Sequence, residues 1–256
     1  MTEEVLKQFA LDGFVTSSGP FDNAFIEQLL AVSHERIRVF MEALGDREIG
    51  IGSAAGFDEI VQRSPGRWDL PISPADFGVN DCALHWWPLV AATLGADAEH
   101  SFSGVVYSDP GAPAQEWHID SPHESADHLP ARAVNVLNAL QDVSMVMGPT
   151  EIARGSHTLT NHLHNSSLDR DELIYQHATT SPAMLVADTD QPVPQSSVEV
   201  MPTGSWVLFD DRVMHRGLAN QSDVTRYMAY SSYRKKGYAE NTHFEAQRSV
   251  FDEAEG

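Results

Sequence analysis

The chain has 256 residues and a mass of 28.2 kDa, and its 42% hydrophobic and 21% charged composition suits a packed globular protein and excludes a disordered or fibrous one. With 37 acidic residues against 16 basic, the formal net charge is −21, so phosphate backbones and anionic lipid are repelled; neither a nucleic-acid nor a membrane partner is expected. The one cysteine, Cys82, rules out an intramolecular disulfide and a thiolate cluster, and the absence of a signal-like start or a long apolar run makes the cytoplasm the expected location.

Near the start, Asp12-Gly13-Phe14-Val15 reads as a turn into a short strand. Residues 21–44 then place Phe25, Leu29, Val32, Ile37, Phe40, Met41 and Leu44 near the helical period, with charged residues between them, and predict an amphipathic helix. The stretch 45–80, rich in Gly, Pro, Ser and Asp, reads as loops able to cover a site. Within it, Gly50-Ile51-Gly52-Ser53-Ala54-Ala55 has the letters of a dinucleotide fingerprint but follows a helix rather than a strand, so no nicotinamide site is expected.

From residue 102 the character changes to short strand-like runs at 102–107, 116–120, 133–140, 183–187, 197–200, 205–209 and 227–233, with turn residues between them. Many short strands of this kind predict a mainly β antiparallel sandwich or jelly roll with flanking helices. No linker is long enough to separate two domains, so residues 1–256 are expected to form one domain, with a helical part at about 1–100 and a β core at about 101–235.

The strongest local signal is Gln115-Glu116-Trp117-His118-Ile119-Asp120. Alternate residues of a strand share a face, so His118 and Asp120 would offer an imidazole and a carboxylate to one ion. His-x-Asp alone is common, and a surface pair is the competing reading. A second signal comes from residues 205–217, where an apolar run leads into a polar segment ending at His215-Arg216-Gly217. If Asn220 and Gln221 centred a hairpin, His215 would face Arg226 across it. Two histidines and a carboxylate leave coordination positions open on a metal, and a nearby guanidinium can grip the far carboxylate of a dicarboxylate through paired hydrogen bonds.

Taken together, these segments resemble the phytanoyl-CoA dioxygenase-like (PhyH) branch of the Fe(II)/2-oxoglutarate-dependent oxygenases over nearly the whole chain. Residues 8–15 resemble that family's first strand, and Gln115 to Asp120 its Gln-x-x-His-x-Asp segment. Asn138-Ala139-Leu140-Gln141-Asp142 and the following Gly148-Pro149-Thr150-Glu151-Ile152-Ala153-Arg154-Gly155-Ser156-His157 resemble its strand and Gly-Ser-His turn; His215-Arg216-Gly217 with Arg226 completes the set. The resemblance implies a double-stranded β-helix (cupin-like jelly roll), Fe(II) bound by His118, Asp120 and His215, Arg226 on the C5 carboxylate of 2-oxoglutarate, and Gln115 and Thr150 as further cosubstrate contacts. It also implies a dioxygenase that consumes O2 and 2-oxoglutarate. Because Asp120 fills the place that related halogenases leave to chloride, hydroxylation, desaturation or ring formation is expected rather than halogenation. Two departures stand out: position 217 is Gly where several members carry a hydroxyl residue near the carboxylate, and Glu151 and Arg154 replace the usual residues of the Gly-Ser-His turn.

The same ligands would also suit zinc in a hydrolase, a metal in a cupin-like isomerase, or a non-catalytic metal-binding module. Arg226 separates these, since none of them needs a cation to hold a dicarboxylate. His157 reads as a brace for backbone, His162 and His164 as residues of a polar stretch with no matched carboxylate to make a metal site, and His123 as a residue lining the site from the loop after the metal motif. Trp86, Trp87, Trp117 and Tyr107 read as core before they read as pocket. A small-molecule metabolite, in a biosynthetic setting, fits the charge; a basic pocket around Arg63, Arg67 or Arg132 would be needed for a polyanionic substrate. The pattern does not define an oligomeric state.

Overall fold

A computed structural model describes residues 3–17, 23–72, 84–165, 168, 173–174, 180–238 and 246–252. Cys82 lies outside them. Helix α1 (Glu3–Asp12) stops at Gly13, whose φ of 81° is the left-handed conformation glycine adopts without penalty and whose N–H donates back to the Phe9 carbonyl at 2.8 Å. Strand β1 (Phe14–Ser17) follows at once, so the 8–15 segment expected as a strand is a helix C-terminus joined to one. Helix α2 (Asn23–Leu44) forms as its spacing predicts, although its buried residues are Ile26, Leu29, Ser33 and Leu44 while Met41 is exposed.

The remaining elements are β2 (Val61–Ser64), β3 (Arg67–Pro71), α3 (Trp87–Leu94), β4 (Glu99–Ser108), β5 (Ala133–Ala139), β6 (Thr150–Ala153), β7 (Ser196–Glu199), β8 (Trp206–Asp210), β9 (His215–Gly217) and β10 (Arg226–Arg234). Seven strands form one sheet in the order β1-β8-β5-β10-β4-β3-β2, and three form a second in the order β7-β6-β9, with every strand pairing antiparallel. The antiparallel β architecture with few helices is the one the strand pattern predicts. Strand β1 falls where a short strand was expected, but β2 and β3 come from the 45–80 stretch that reads as loops. The 183–187 run is a 3-10 turn (Pro182–Val186) instead of a strand, and 116–120 contributes only a bridge at His118.

Period-2 alternation sorts the large sheet into two faces. Val105, Tyr107, Val134, Val136, Trp206, Leu208 and Tyr233 point outward into the core shared with Ile26, Leu29 and the helix α3 residues Leu89 and Val90. Phe14, Ala139, Val207, Phe209 and Met228 point inward and pack with Ile152 of the small sheet. Strand β8 is buried at every position because both of its faces are covered. The inner face of the large sheet therefore looks across at the inner face of the small one.

The hairpin expected between His215 and Arg226 does not form. Strand β9 pairs with β6 in the small sheet, while β10 lies between β4 and β5 in the large sheet, with Arg226 opposite Ser108. Residues 218–225 cross between the sheets because their backbone groups have other partners: Leu218 N–H donates to Pro149 O (3.0 Å), Gln221 N–H to Val146 O (2.7 Å) and Asn220 N–H to Ala112 O (2.9 Å). The buried Asn220 amide clamps the crossing by donating to Ser108 O (3.0 Å) and Val224 O (2.8 Å) while its oxygen accepts from Ser222. Asn220→Ala should strand these carbonyls and lower the unfolding free energy by about 1–3 kcal/mol in urea denaturation; a change within about 0.5 kcal/mol would show that the crossing does not depend on this amide.

Candidate metal centre and anion pocket

His118 and His215 stand opposite each other in an isolated antiparallel bridge, with His118 N–H donating to His215 O (3.0 Å) and His215 N–H donating to His118 O (2.9 Å). Such a reciprocal pair puts both side chains on one face, and the imidazole centroids lie 4.4 Å apart. Each Nδ1 meets a carbonyl two residues back, Glu116 O at 2.9 Å for His118 and Val213 O at 3.0 Å for His215. A donor Nδ1–H leaves the Nε2 lone pair free for a metal. Asp120 Oδ1 is 3.8 Å from His215 Nε2, and one ligand atom from each of the three residues falls within 4.8 Å of the others. Among the described residues this is the one group of three or more His, Asp, Glu or Cys side chains so placed. Burial, with the neighbouring His215 second, pushes His118 down to about 4 against the pull of Asp120 and the Glu116 carbonyl, which keeps the imidazole neutral and able to ligate. The histidines are buried, whereas the Asp120 side chain is 36% exposed, so the group is open on one side.

Supporting contacts come from both sheets. Asn135 on β5 donates to Asp120 Oδ2 at 2.5 Å and so orients the carboxylate from the opposite sheet. The backbone N–H groups of Asp120 and Ser121 both donate to Asp211 O, at 2.9 and 3.1 Å. In the buried Asp210-Asp211-Arg212 segment, which ends β8 and starts the link to β9, Arg212 forks onto Asp210 through Nε (2.8 Å) and Nη2 (2.7 Å) and donates through Nη1 to Leu129 O. Burial opposes ionisation of Asp210, but the Arg212 hydrogen bonds and charge outweigh it and hold the carboxyl below its usual range. Asp211 goes the other way, raised well above the usual range by burial and then by the Asp210 charge.

A second feature faces the metal group. Arg226 on β10, Ser108 on β4 and Arg67 on β3 form one row across the inner face of the large sheet, opposite one another in register. They are 3%, 0% and 2% exposed. Arg226 Nη2 donates to Ser108 Oγ at 3.1 Å, while its Nε and Nη1 are buried with no hydrogen-bond partner. Arg67 Nη2 donates to Pro113 O (3.3 Å) and Leu218 O (3.2 Å), and its Nε is likewise without a partner. Among the described residues neither guanidinium has an ion pair. Burial, and then the Arg67 charge, pushes Arg226 down to about 9; burial pushes Arg67 down to about 10, so both remain cations at neutral pH. A buried charge left unpaired is destabilising by several kcal/mol in order of magnitude, so these orphaned donors fit an anionic ligand.

The expected cosubstrate residues border the same space. The Gln115 side-chain oxygen accepts from Gly217 N–H at 3.1 Å, and Gln115 N–H donates to Gly217 O at 2.8 Å. Thr150 is buried on β6 directly opposite Gly217. The two departures in the Gly-Ser-His turn have structural work to do. Glu151 accepts from Arg216 at 2.8 Å, and Arg216 in turn lies 4.7 Å over the Trp117 ring; Arg154 pairs with Asp12 and donates to Ser197 Oγ at 2.9 Å. His157 is buried and accepts at its carbonyl from His123 Nε2 (2.7 Å), so His123 braces this turn. His162 is buried with its ring 5.1 Å from His123. Trp86, Trp117 and Tyr107 are core; of the three basic residues, Arg63 pairs with Asp69 and Arg132 with Glu124, whereas Arg67 lies in the buried row with Arg226.

Sequence reasoning missed Ser108, Asn135 and the 210–212 triplet, and named Arg67 only as one of three possible basic residues. The alternation Arg67-Trp68-Asp69-Leu70 was the available signal for Arg67, since Trp68 and Leu70 on one face of a strand put Arg67 on the other.

A family model described as Phytanoyl-CoA dioxygenase (PhyH) matches residues 13–228. Solved structures share the fold at low identity. SnoN, a non-heme alpha ketoglutarate dependent epimerase from nogalamycin biosynthesis, is 18% identical with a TM-score of 0.61, over 91% of this chain and 80% of its own. AviO1 from Streptomyces viridochromogenes Tue57 is 18% identical with a TM-score of 0.61, over 93% and 97%. HygX from Streptomyces hygroscopicus, solved with nickel, 2-oxoglutarate and hygromycin B bound, is 17% identical with a TM-score of 0.60, over 94% and 90%.

The opposed aspartates make a pH prediction. Because the folded value of Asp211 is raised, folding is favoured with the proton on and is penalised as pH rises above the unfolded value of about 4. Asp211→Asn should therefore leave stability near pH 4 almost unchanged and raise it relative to the parent at pH 7.5 in urea denaturation. Curves that stay parallel across that range would contradict the assignment.

Proposed function

The chain belongs to the phytanoyl-CoA dioxygenase family, and on that footing we propose that it is an Fe(II)/2-oxoglutarate-dependent oxygenase that oxidises a small-molecule metabolite within a single catalytic domain. The observation that carries the reading is the pairing of an open His-Asp-His group with two buried, unpaired guanidiniums across the same inter-sheet space. A zinc hydrolase, a cupin-like isomerase or a non-catalytic module would leave those cations without a purpose. In this reading His118, Asp120 and His215 hold the iron, and Arg226 takes the distal carboxylate of 2-oxoglutarate through its free Nε and Nη1. Gln115 and Thr150 border the cosubstrate between these two ends. When bound, iron and 2-oxoglutarate together supply oxidative decarboxylation to succinate and CO2, with O2 as the oxidant, coupled to oxidation of a substrate C–H bond.

The protein's own contribution is placement. With each Nδ1 turned to a backbone carbonyl the two imidazoles present Nε2, Asn135 keeps Asp120 aimed, and the exposed side of Asp120 is where substrate and gas enter. Relatives whose structures hold nogalamycin RO and hygromycin B support a natural-product-sized metabolite as substrate, and the −21 charge favours a neutral or cationic one.

Formation of succinate from 2-oxoglutarate in the presence of Fe(II) and air tests the reading. His118→Ala, Asp120→Ala and His215→Ala should each cut it by more than the roughly 10–100-fold that loss of an outer hydrogen-bond partner costs a metal site, and Asn135→Ala should fall within that range. Cooperative unfolding should persist in all four. Ligand variants that make succinate at the parental rate would overturn the metal assignment.

A further inference from the structure

The glycine at position 217 is explained by what stands beside it. A Cβ built on Gly217 would meet the Arg67 guanidinium, with Cζ at 2.8 Å, and the Gln115 side-chain oxygen at 2.9 Å. Gly217 lies two residues beyond His215 on the same strand, so that Cβ would point to the same inner face as the metal imidazole. Its place is taken by a positive charge reaching over from β3 of the facing sheet. Arg67 is in line with Arg226 across Ser108, two strand spacings or about 9–10 Å away at Cα, and the flexible stems let both guanidiniums converge toward the middle of the row. No acidic side chain pairs with either one among the described residues, although acidic residues outnumber basic ones by more than two to one, 37 to 16.

Building on the oxygenase reading, we propose that Arg67 is a second cationic anchor for the cosubstrate's distal carboxylate, so that Arg67 and Arg226 clamp one dicarboxylate from two strands and Gly217 is the vacancy that admits Arg67. A hydroxyl on residue 217 would give that carboxylate one neutral hydrogen bond; the arginine gives it a charged one, with Nε free to donate and Nη2 holding the Pro113 and Leu218 carbonyls. The dependence runs in both directions. Any side chain at 217 displaces Arg67, and loss of Arg67 leaves a space that a small hydroxyl residue fills.

Calorimetric binding to the Mn(II)-loaded protein, with 2-oxoglutarate and with 2-oxobutyrate, which keeps the metal-chelating end and lacks the distal carboxylate, tests this without turnover. The parent should prefer 2-oxoglutarate. Arg67→Gln should shrink that preference by about 10- to 100-fold, the worth of a charged hydrogen bond, while Mn(II) affinity stays the same. Gly217→Ser should weaken 2-oxoglutarate binding with Arg67 in place, and the same serine should strengthen binding in the Arg67→Ala background. That reversal of sign would not arise if Arg67 were only a structural prop, and Gly217→Ser keeps the test decisive should Arg67→Gln fail to fold. An undiminished preference in Arg67→Gln, or a serine effect of the same sign in both backgrounds, overturns the clamp and leaves Arg226 alone on the carboxylate. A parent that binds neither keto acid, or both equally, overturns the oxygenase reading itself and the clamp with it.

Discussion

One backbone contact organises the site: the reciprocal pair of hydrogen bonds between His118 and His215. It joins a segment that belongs to no regular strand to the edge strand of the small sheet, and in doing so sets two imidazoles side by side. The rest of the neighbourhood is arranged around that bridge. The Asp211 carbonyl receives the two N–H groups that follow Ile119, the Ser156 hydroxyl accepts from Met214 N–H at 2.8 Å, and the Arg212 fork on Asp210 stiffens the approach to His215. A metal site needs its ligands held to fractions of an ångström, and here the holding is done by main-chain hydrogen bonds and buried charge pairs and not by the ligands themselves.

The two sheets divide the chemistry between them. The small sheet and its bridge present the His-Asp-His group, while the large sheet presents Arg226, Ser108 and Arg67, with Asn135 reaching across to Asp120. Electrostatics follow the same division. Two imidazoles and one carboxylate suit a divalent cation, and two cations facing them suit a dianion whose one end chelates that metal. Neither half is at rest alone, because each buried guanidinium keeps at least one donor without a partner. Such unsatisfied groups are tolerated where a ligand completes them, and their position opposite the His-Asp-His group identifies which ligand chemistry that is.

How much of this was legible in the sequence follows from how local each feature is. His118 and Asp120 share one short segment, so their spacing made them candidates, and the later His215 segment set them apart from a surface pair. Strands β4, β5, β8 and β10 were visible as apolar runs. The β2–β3 hairpin was not, because the inner positions of β3 are Arg67 and Asp69, and charged residues at core-facing positions defeat an apolar-pattern reading. Ala183-Met184-Leu185-Val186 misled in the opposite way: a short apolar run after Pro182 is compatible with a strand and folds as a 3-10 turn. The hairpin register for His215 and Arg226 found two residues of one site by a geometry the molecule does not use, since Asn220 ties the intervening segment to β4 and sends β10 into the other sheet. Gly217 looked like a missing contact from the sequence, and only the facing strand shows what fills its place.

The decisive measurement is anaerobic titration of the metal-free protein with Fe(II) and then 2-oxoglutarate, following the weak visible charge-transfer band of a keto acid chelated to iron. The band should appear on adding 2-oxoglutarate to the iron-loaded protein, and Arg226→Ala should need far more 2-oxoglutarate to reach the same intensity. Iron binding with no band at any 2-oxoglutarate concentration would contradict it and would return the His118, Asp120 and His215 group to the hydrolase, isomerase or binding-module readings.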